Sequence, residues 1–254
     1  MNIAVCVKQV VTRDWPLRVN ETAEWVRDND ASFEMNEPDA YALEEALRLK
    51  EQHGGEVVVC VAGPPRVTQV IREALARGAD RAIHVQHEQL AFADANVVAS
   101  SLATAMLPEQ FDLVLTGLQS DDQGFGQTGV ILAERLGLPH ATIVMEVDAG
   151  GVNGLRVKRE LEGGWFQWVS MPTPALLTIQ SGINQLRYAT LKGIMAAKRK
   201  EVRSVELEEL QPAGQHIVRL YVPEKEKATR FIEGGPEAAS HELVRLLREE
   251  ARVL

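Results

Sequence analysis

The sequence predicts an α/β fold with a doubly wound, mostly parallel sheet, because short apolar runs alternate with amphipathic runs up to about residue 150. The apolar runs have the length and composition of buried strands and cover residues 3–7, 56–61, 82–85, 113–115 and 142–147. The runs between them repeat apolar residues at helical spacing, over residues 40–50, 67–77, 93–106 and 130–136. Right-handed crossovers between parallel strands would place these helices on both faces of one sheet.

The chain changes character after residue 150. Residues 152–161 and 165–169, joined by Glu162, Gly163 and Gly164, predict an antiparallel hairpin, and residues 175–179 predict the last strand of the sheet. From residue 184 onward apolar residues are few, apart from a helical spacing over 238–254. We therefore predict an α/β domain over residues 1–183, followed over residues 184–254 by a recognition loop and an extended C-terminal arm that lies on another surface. A solvated surface extension is the alternative.

Composition narrows the classes of function. The net charge of −9 argues against a nucleic-acid partner, because no basic face of sufficient size is present. Cys6 and Cys60 both lie in apolar runs, so we expect buried thiols in a reducing compartment and no disulfide or metal pair. The first residues lack a signal-peptide core, and no apolar run is long enough to span a membrane. We therefore expect a cytoplasmic protein with no membrane insertion.

The candidate site lies in residues 111–129, FDLVLTGLQSDDQGFGQTG. This segment runs from a short strand through a loop of small and polar residues into the start of a helix, an arrangement typical of anion binding. Loop glycines let the backbone approach a phosphate, and the first N–H groups of the helix carry partial positive charge. Asp121 and Asp122 suit ribose hydroxyls, a helix cap or solvent. The alternative is a well-capped helix that binds no ligand.

Topology predicts which other loops join this site. In parallel sheets, ligands bind at the carboxyl ends of the strands, where the strand order reverses. We therefore expect residues 6–9, residues 36–39 and the loop after Gly117 to meet, with the turn at residues 62–65 beside them. Asn36 is predicted to cap the first helix, and Pro38 is tolerated in its first turn.

Catalytic groups are hard to find in this sequence. No Gly-x-Gly-x-x-Gly follows the first strand, and neither a Walker A segment nor a Gly-x-Ser-x-Gly elbow occurs. His84 and His87 fall on opposite faces of a strand end, so no metal site is predicted. A nucleotide site without a nucleophile or a base indicates binding or redox carriage rather than hydrolysis.

A set of motifs extends over nearly the whole chain. It comprises Val5-Cys6-Val7-Lys8, Met35-Asn36, LEEALRLK at 43–50, Ala62-Gly63-Pro64, ALARGADR at 74–81, DLVL at 112–115 with Gly117, Gln119, Asp121, Asp122 and QTG at 127–129, and RYATL at 187–191 with Ile194 and Met195. In this order and spacing, the chain resembles the beta subunit of electron transfer flavoprotein. The resemblance implies a Rossmann-like fold of the adenine-nucleotide-hydrolase type.

The resemblance also implies cofactors and a cofactor site. The chain would pair with an alpha subunit that holds most of the redox FAD, and would bind a structural AMP in its own cleft. Carried over by motif, the cofactor-binding residues are Cys6, Asn36, Glu37, Pro38, Asp39, Ala62, Gly117, Leu118, Gln119, Ser120, Asp121, Asp122, Gln123, Gly124, Phe125, Gly126, Gln127 and Thr128. No residue is expected to be catalytic.

Partner docking is implied for the region after residue 184. Leu191 resembles the apolar anchor of a dehydrogenase-docking contact, with Tyr188, Ile194 and Met195 around it and the basic run 198–200 after it. The implied electron donors are acyl-CoA or other flavin dehydrogenases, and the implied acceptor is a membrane quinone oxidoreductase. The C-terminal arm would pack on the alpha subunit.

The sequence departs from the family pattern at two places in the implied nucleotide site, residues 37–39 and residues 123–126. These departures leave open a second FAD in place of AMP, which marks electron-bifurcating members linked to NADH. Leu118 favours AMP, because bifurcating members carry a basic residue there. Non-redox adenine-nucleotide modules share the architecture. However, the pyrophosphatase type needs a Ser-Gly-Gly-x-Asp-Ser loop that is absent here, and the stress-type module lacks the hairpin and the long tail.

Overall fold

The computed structural model describes residues 1–151, 154–223 and 229–254. In chain order the strands are β1 (Asn2–Cys6), β2 (Gln9–Val11), β3 (Phe33–Met35), β4 (Glu56–Gly63), β5 (Arg81–Gln86), β6 (Leu113–Gly117), β7 (His140–Gly151), β8 (Gly154–Glu160), β9 (Phe166–Met171), β10 (Ala175–Ile179) and β11 (Val202–Glu206). The α-helices are α1 (Glu37–His53), α2 (Thr68–Arg77), α3 (Ala95–Met106), α4 (Thr128–Leu136), α5 (Leu191–Ala197) and α6 (Pro236–Glu249). Short 3-10 turns cover Pro65–Val67, Glu88–Ala91 and Glu162–Gly164.

The main sheet of the described chain has the strand order β11-β5-β4-β1-β6-β10-β7-β8-β9. The strands from β11 to β7 pair in parallel, whereas β7, β8 and β9 pair antiparallel. From β1 the chain builds β4 and β5 on one side and then crosses to β6 on the other side. The strand order therefore reverses between β1 and β6, at the centre of the sheet.

Helices cover both faces of the sheet, so the predicted doubly wound fold is confirmed. Neighbouring strand residues contribute to opposite faces: Ile3 and Val5 belong to the core beneath α1 and α2, whereas Ala4 and Cys6 belong to the core beneath α3 and α4. Parallel strands buried on both faces are apolar along their whole length. This is why residues 3–7 and 113–115 could be recognised from the sequence.

Three details differ from the sequence-based expectations or extend them. The strand at 175–179 is not the last of the sheet, because β11 adds to β5 at the opposite edge. The predicted hairpin is part of a three-stranded antiparallel meander, and its predicted first residue, Val152, lies outside the described residues. Between β1 and α1, β2 and β3 form a small antiparallel pair within residues 8–35, the segment for which the sequence indicated a small hairpin or an irregular excursion.

Candidate functional site

A cleft opens at the carboxyl ends of β1 and β6, where the strand order reverses. Its empty space is about 860 Å³, a volume that includes space open to solvent. The predicted residues that line it are Cys6, Asn36, Asp39, Ala62, Gly117, Leu118, Gln119, Ser120, Gln123, Phe125, Gly126, Gln127 and Thr128. Of the other predicted residues, Glu37, Pro38, Asp121, Asp122 and Gly124 are not part of the lining.

The floor of the cleft is held together by Asp39, which is 6% exposed. Its Oδ2 accepts a hydrogen bond from the backbone N–H of Lys8 at 2.7 Å, and its Oδ1 accepts one from the backbone N–H of Gly117 at 2.9 Å. One carboxyl therefore joins the ends of β1 and β6. Gly117 is required for this contact, because a Cβ there would lie 2.4 Å from Asp39 Oδ1 and 2.8 Å from the backbone N of Asp39. Burial raises the pKa of Asp39 to about 7, although the two N–H donors and the nearby Lys8 charge lower it.

The loop after Gly117 is fixed to the start of α1 by Asn36, which is buried. Its Nδ2 donates to the carbonyl of Gln119 at 3.0 Å, and its Oδ1 accepts from the N–H of Asp121 at 2.9 Å. Asn36 occupies the N-cap position of α1, as the sequence indicated, but its side chain makes no capping hydrogen bond, because both ends of its amide are engaged with the loop. Instead, Asp121 Oδ2 accepts from the N–H of Glu37 at 3.2 Å, as a helix cap does.

Two cations at the rim of the cleft pair with the loop carboxylates. The Nζ of Lys8 lies 2.6 Å from Asp122 Oδ1 and 3.4 Å from Ser120 Oγ. Arg13 contacts both Glu37 and Asp121. Lys8 lines the cleft, within the segment 6–9 that topology places at the site, although it was not among the cofactor-binding residues implied by the resemblance. The sequence feature that indicates Lys8 is its position shortly after β1, a strand whose carboxyl end lies where the strand order reverses.

Apolar residues that were not predicted from the sequence form another part of the cleft wall. They lie in the Glu88–Ala91 turn, in α3 and in the segment between them: Leu90, Ala91, Ala93, Val98 and Leu102. These residues follow β5, another parallel strand that ends at the same edge, so topology alone could have included them. A cleft lined by both apolar and polar groups suits a ligand with a planar apolar part and a polar part.

The N-terminus of α4 also lines the cleft. Among the described residues, the helix has no side-chain cap, since Gln127 at the N-cap position makes no capping hydrogen bond. The first N–H groups of a helix have no partner within the helix, so they are available to a ligand. Gly129 lets this helix start close to the sheet, because a Cβ there would lie 2.6 Å from Thr116 Oγ1 and 2.7 Å from a methyl carbon of Thr178.

Both thiols are buried, as expected, and they are unsuited to redox chemistry. Burial, followed by the nearby Cys60 and Asp39, raises the pKa of Cys6, and burial raises the pKa of Cys60 to about 12. A thiol reacts as its thiolate, so neither group is an active nucleophile. The described part of the chain does not bring together three or more His, Cys, Asp or Glu side chains that could hold a metal ion.

A second candidate surface surrounds α5. The predicted docking residues Tyr188 and Leu191 are 90% and 84% exposed, and Ile194 and Met195 are also exposed. The helix beneath them is rigidly supported. Thr190 Oγ1 accepts from the N–H of Gly193 at 3.0 Å, and the Gly193 backbone packs directly on α2.

The residues after α5 are tied to α2 by side chains. Arg72 Nη1 donates to the carbonyl of Ala197 at 2.6 Å, and Lys200 Nζ donates to the carbonyl of Leu75 at 2.9 Å. Burial lowers the pKa of Lys200. The exposed apolar side chains of α5 therefore stand on a fixed base, as a docking contact requires.

The fold and the cleft define a doubly wound α/β protein with a cleft at the point where the strand order reverses, the usual position of a ligand in such folds. The family model for the electron transfer flavoprotein domain matches residues 25–210. The electron transfer flavoprotein subunit beta of Methylophilus methylotrophus is 36% identical over 261 residues, covering 98% of each chain. The protein of that name from Bacillus subtilis is 34% identical over the full length of both chains, and the mitochondrial one from Oryza sativa subsp. japonica is 36% identical.

The chain therefore belongs to the electron transfer flavoprotein family, among its beta subunits. This makes it a component of an electron transfer flavoprotein. Within the ranges described above, none of the helices is both long and apolar enough to cross a bilayer.

Proposed function

We propose that this chain is the beta subunit of a heterodimeric electron transfer flavoprotein. It carries electrons from acyl-CoA or other flavin dehydrogenases to an acceptor such as a membrane quinone oxidoreductase. The FAD is held mainly by the alpha subunit, and a structural AMP occupies the cleft of this chain. The observation that carries the proposal is the cleft itself, which combines a helix N-terminus with an apolar wall in a chain that matches beta subunits along its length.

The cleft residues fit a nucleotide of the AMP type. The first N–H groups of α4, at residues 128–130, suit the phosphate, and Lys8 adds a positive charge at the rim. The wall of Leu90, Val98 and Leu102 suits a planar base. The amide and hydroxyl side chains of the loop after Gly117 suit ribose hydroxyls. AMP would act structurally, because it would fix this loop against the first helix.

FAD, when bound by the heterodimer, supplies the redox chemistry; this chain's residues position and shield it and hold the donor. Leu191 and its exposed apolar neighbours form the donor contact, with Lys192, Lys198 and Arg199 nearby. A small contact of this kind dissociates quickly, which suits a carrier that meets several partners. The arm after residue 206 packs on the alpha subunit.

Cofactor content tests the proposal. The chain is expressed alone and together with an alpha subunit, and each product is denatured so that released FAD and AMP can be quantified. We expect a yellow heterodimer with equimolar FAD and AMP, and a colourless single chain. A second FAD in place of AMP would indicate an electron-bifurcating complex. A colourless chain that dimerises with itself and hydrolyses ATP would refute the flavoprotein proposal and favour a non-redox adenine-nucleotide module.

A further inference from the structure

The C-terminal arm, defined here as residues 207–254, passes the N-terminus of α3 soon after β11 ends. There the N–H groups of Gly214 and Gln215 donate to Asp94 Oδ2 at 2.6 and 2.8 Å. The other oxygen, Asp94 Oδ1, accepts from the N–H of Val97 at 2.8 Å and caps α3. One oxygen of the Asp94 carboxylate therefore caps α3, and the other oxygen accepts hydrogen bonds from the arm.

A second attachment lies a few residues further along the arm. The N–H of Leu220 donates to the carbonyl of Ala23 at 2.6 Å. The two attachments belong to one packed unit, because the rings of Trp25 and Phe92 meet edge-on with their centroids 5.5 Å apart. Trp25 is two residues from Ala23, and Phe92 is two residues from Asp94. The arm is therefore held at two points on one fixed surface.

Beyond the second attachment the arm has no further hydrogen bond to the body of the described chain. The hydrogen bonds of residues 229–254 are made within that range, as between Arg230 and Glu250. Large apolar side chains are nevertheless exposed there and just before it: Val218 81%, Tyr221 71%, Val222 74% and Phe231 87%. Helix α6 has no buried residue. Such a density of exposed apolar side chains is typical of a surface that a partner covers.

We propose that Asp94 is a positioning residue that sets the direction in which the arm leaves the body and so prepares it to bind the alpha subunit. The identity of the partner rests on the proposed function. An arm held in its binding direction loses less conformational freedom on association than a free arm, which lowers the cost of binding.

The charge state of Asp94 supports this role. Burial acts to raise its pKa, but the N–H groups of Val97, Gln215 and Gly214 outweigh burial, so that the pKa lies below the usual range. The group is therefore a carboxylate at neutral pH. Hydrogen bonds from N–H donors to a carboxylate are stronger than bonds to a neutral acceptor.

Asp94→Asn separates the two roles of the side chain. Asparagine caps helices as well as aspartate does, so the bond to Val97 is retained. Its amide NH₂ would face the N–H groups of Gly214 and Gln215 and could not accept from them. Gln215→Pro removes one of the two donors from the arm side. Asp148→Asn is the matched control, because Asp148 Oδ1 accepts from the N–H of Gly150 and makes no hydrogen bond to the described residues of the arm.

Hydrogen exchange in the single full-length chain gives the first readout. In Asp94→Asn we expect the Gly214 and Gln215 amides to exchange about tenfold faster, with the helix α3 amides unchanged. Gln215→Pro should accelerate exchange at Gly214, and Asp148→Asn should match the unaltered chain. Unchanged exchange at Gly214 and Gln215 in Asp94→Asn would overturn the attachment.

The second readout is the dissociation constant of the heterodimer. Asp94→Asn should bind the alpha subunit with a Kd about tenfold higher than that of the control variant. Faster exchange with an unchanged Kd would overturn the docking role. If the unaltered chain bound no alpha subunit, the proposed function and the docking role would both fail, whereas the exchange result would still decide whether Asp94 holds the arm.

Discussion

Arg187 and Glu44 form a bidentate ion pair, with 2.8 Å between Nε and Oε2 and 3.0 Å between Nη2 and Oε1. Glu44 lies on α1 and is 6% exposed, whereas Arg187 directly precedes Tyr188, a predicted docking residue. The backbone N–H of Arg187 also donates to Glu44, and Nη1 reaches Glu51 at 2.6 Å. These hydrogen bonds raise the pKa of Arg187 further, so it remains charged. The pair holds the segment before α5 on α1.

Arg187→Ala should lower the free energy of unfolding by about 2–3 kcal/mol, because it leaves the buried Glu44 carboxylate without its partner. The value lies at the low end for buried pairs because Arg187 is itself about one-third exposed. Urea unfolding of the single chain measures it. Arg245→Ala, which removes exposed contacts to Glu242 and Glu249, is the control and should leave stability unchanged. Equal effects of the two variants would contradict a structural role for the Arg187 pair.

Leu191→Ala tests the docking surface. Because Leu191 is 84% exposed, its removal should not affect folding. We expect electron uptake from a partner dehydrogenase to fall about tenfold in kcat/KM, which corresponds to about 1.4 kcal/mol of lost contact, with normal flavin content. Leu107→Ala, at another exposed leucine, is the control and should transfer electrons normally. Unchanged transfer in Leu191→Ala would exclude the docking role.

Gly129→Ala tests whether the start of α4 holds the nucleotide. The added methyl carbon would lie 2.6 Å from Thr116 Oγ1, so the helix must move away from the sheet. We expect a loss of about 1–3 kcal/mol in stability and a heterodimer with little bound AMP, measured after denaturation. Gly235→Ala is the control, because nothing lies within 4 Å of a Cβ at that position. A normal AMP content in Gly129→Ala would argue against phosphate binding at this helix.

The parts of the fold that could be predicted are those with a local signal. The strands at the centre of the sheet are buried on both faces and therefore form apolar runs in the sequence. The rule that ligands bind at the carboxyl ends of parallel strands predicts that the segments of Asn36 and Gly117 meet. Strand β11 had no such signal. It lies at the edge, its residues are only partly buried, and three of its five side chains are polar.

The parts of the site that could not be predicted depend on contacts between residues far apart in the chain. Asn36 looked like a helix cap because its neighbours form a helix start. Its amide instead bonds to Gln119 and Asp121, more than eighty residues away, and no local pattern encodes that choice. Leu90 and Val98 differ from Asn36 in this respect, because they follow β5, a parallel strand that ends at the same edge of the sheet, so the topology rule extends to them.

Asp39 predicts a dependence of stability on pH. Its pKa is raised from an ordinary value near 3.8 to about 7, chiefly by burial, so the folded chain binds the proton more tightly than the unfolded chain. Between about pH 4 and pH 7 the folded state therefore holds more protons, and the free energy of unfolding should fall as pH rises, by a few kcal/mol in all. The contribution is constant below and above this window.

Urea unfolding at a series of pH values measures this slope. Asp39→Asn carries no titrating proton and should remove the contribution of Asp39, whatever its effect on the mean stability. Asp148→Asn, at an exposed carboxylate, should keep it. If the slope were the same in all three proteins, the N–H groups of Lys8 and Gly117 together with the Lys8 charge would balance the effect of burial on the pKa of Asp39, and Asp39 would join β1 to β6 as a carboxylate at neutral pH.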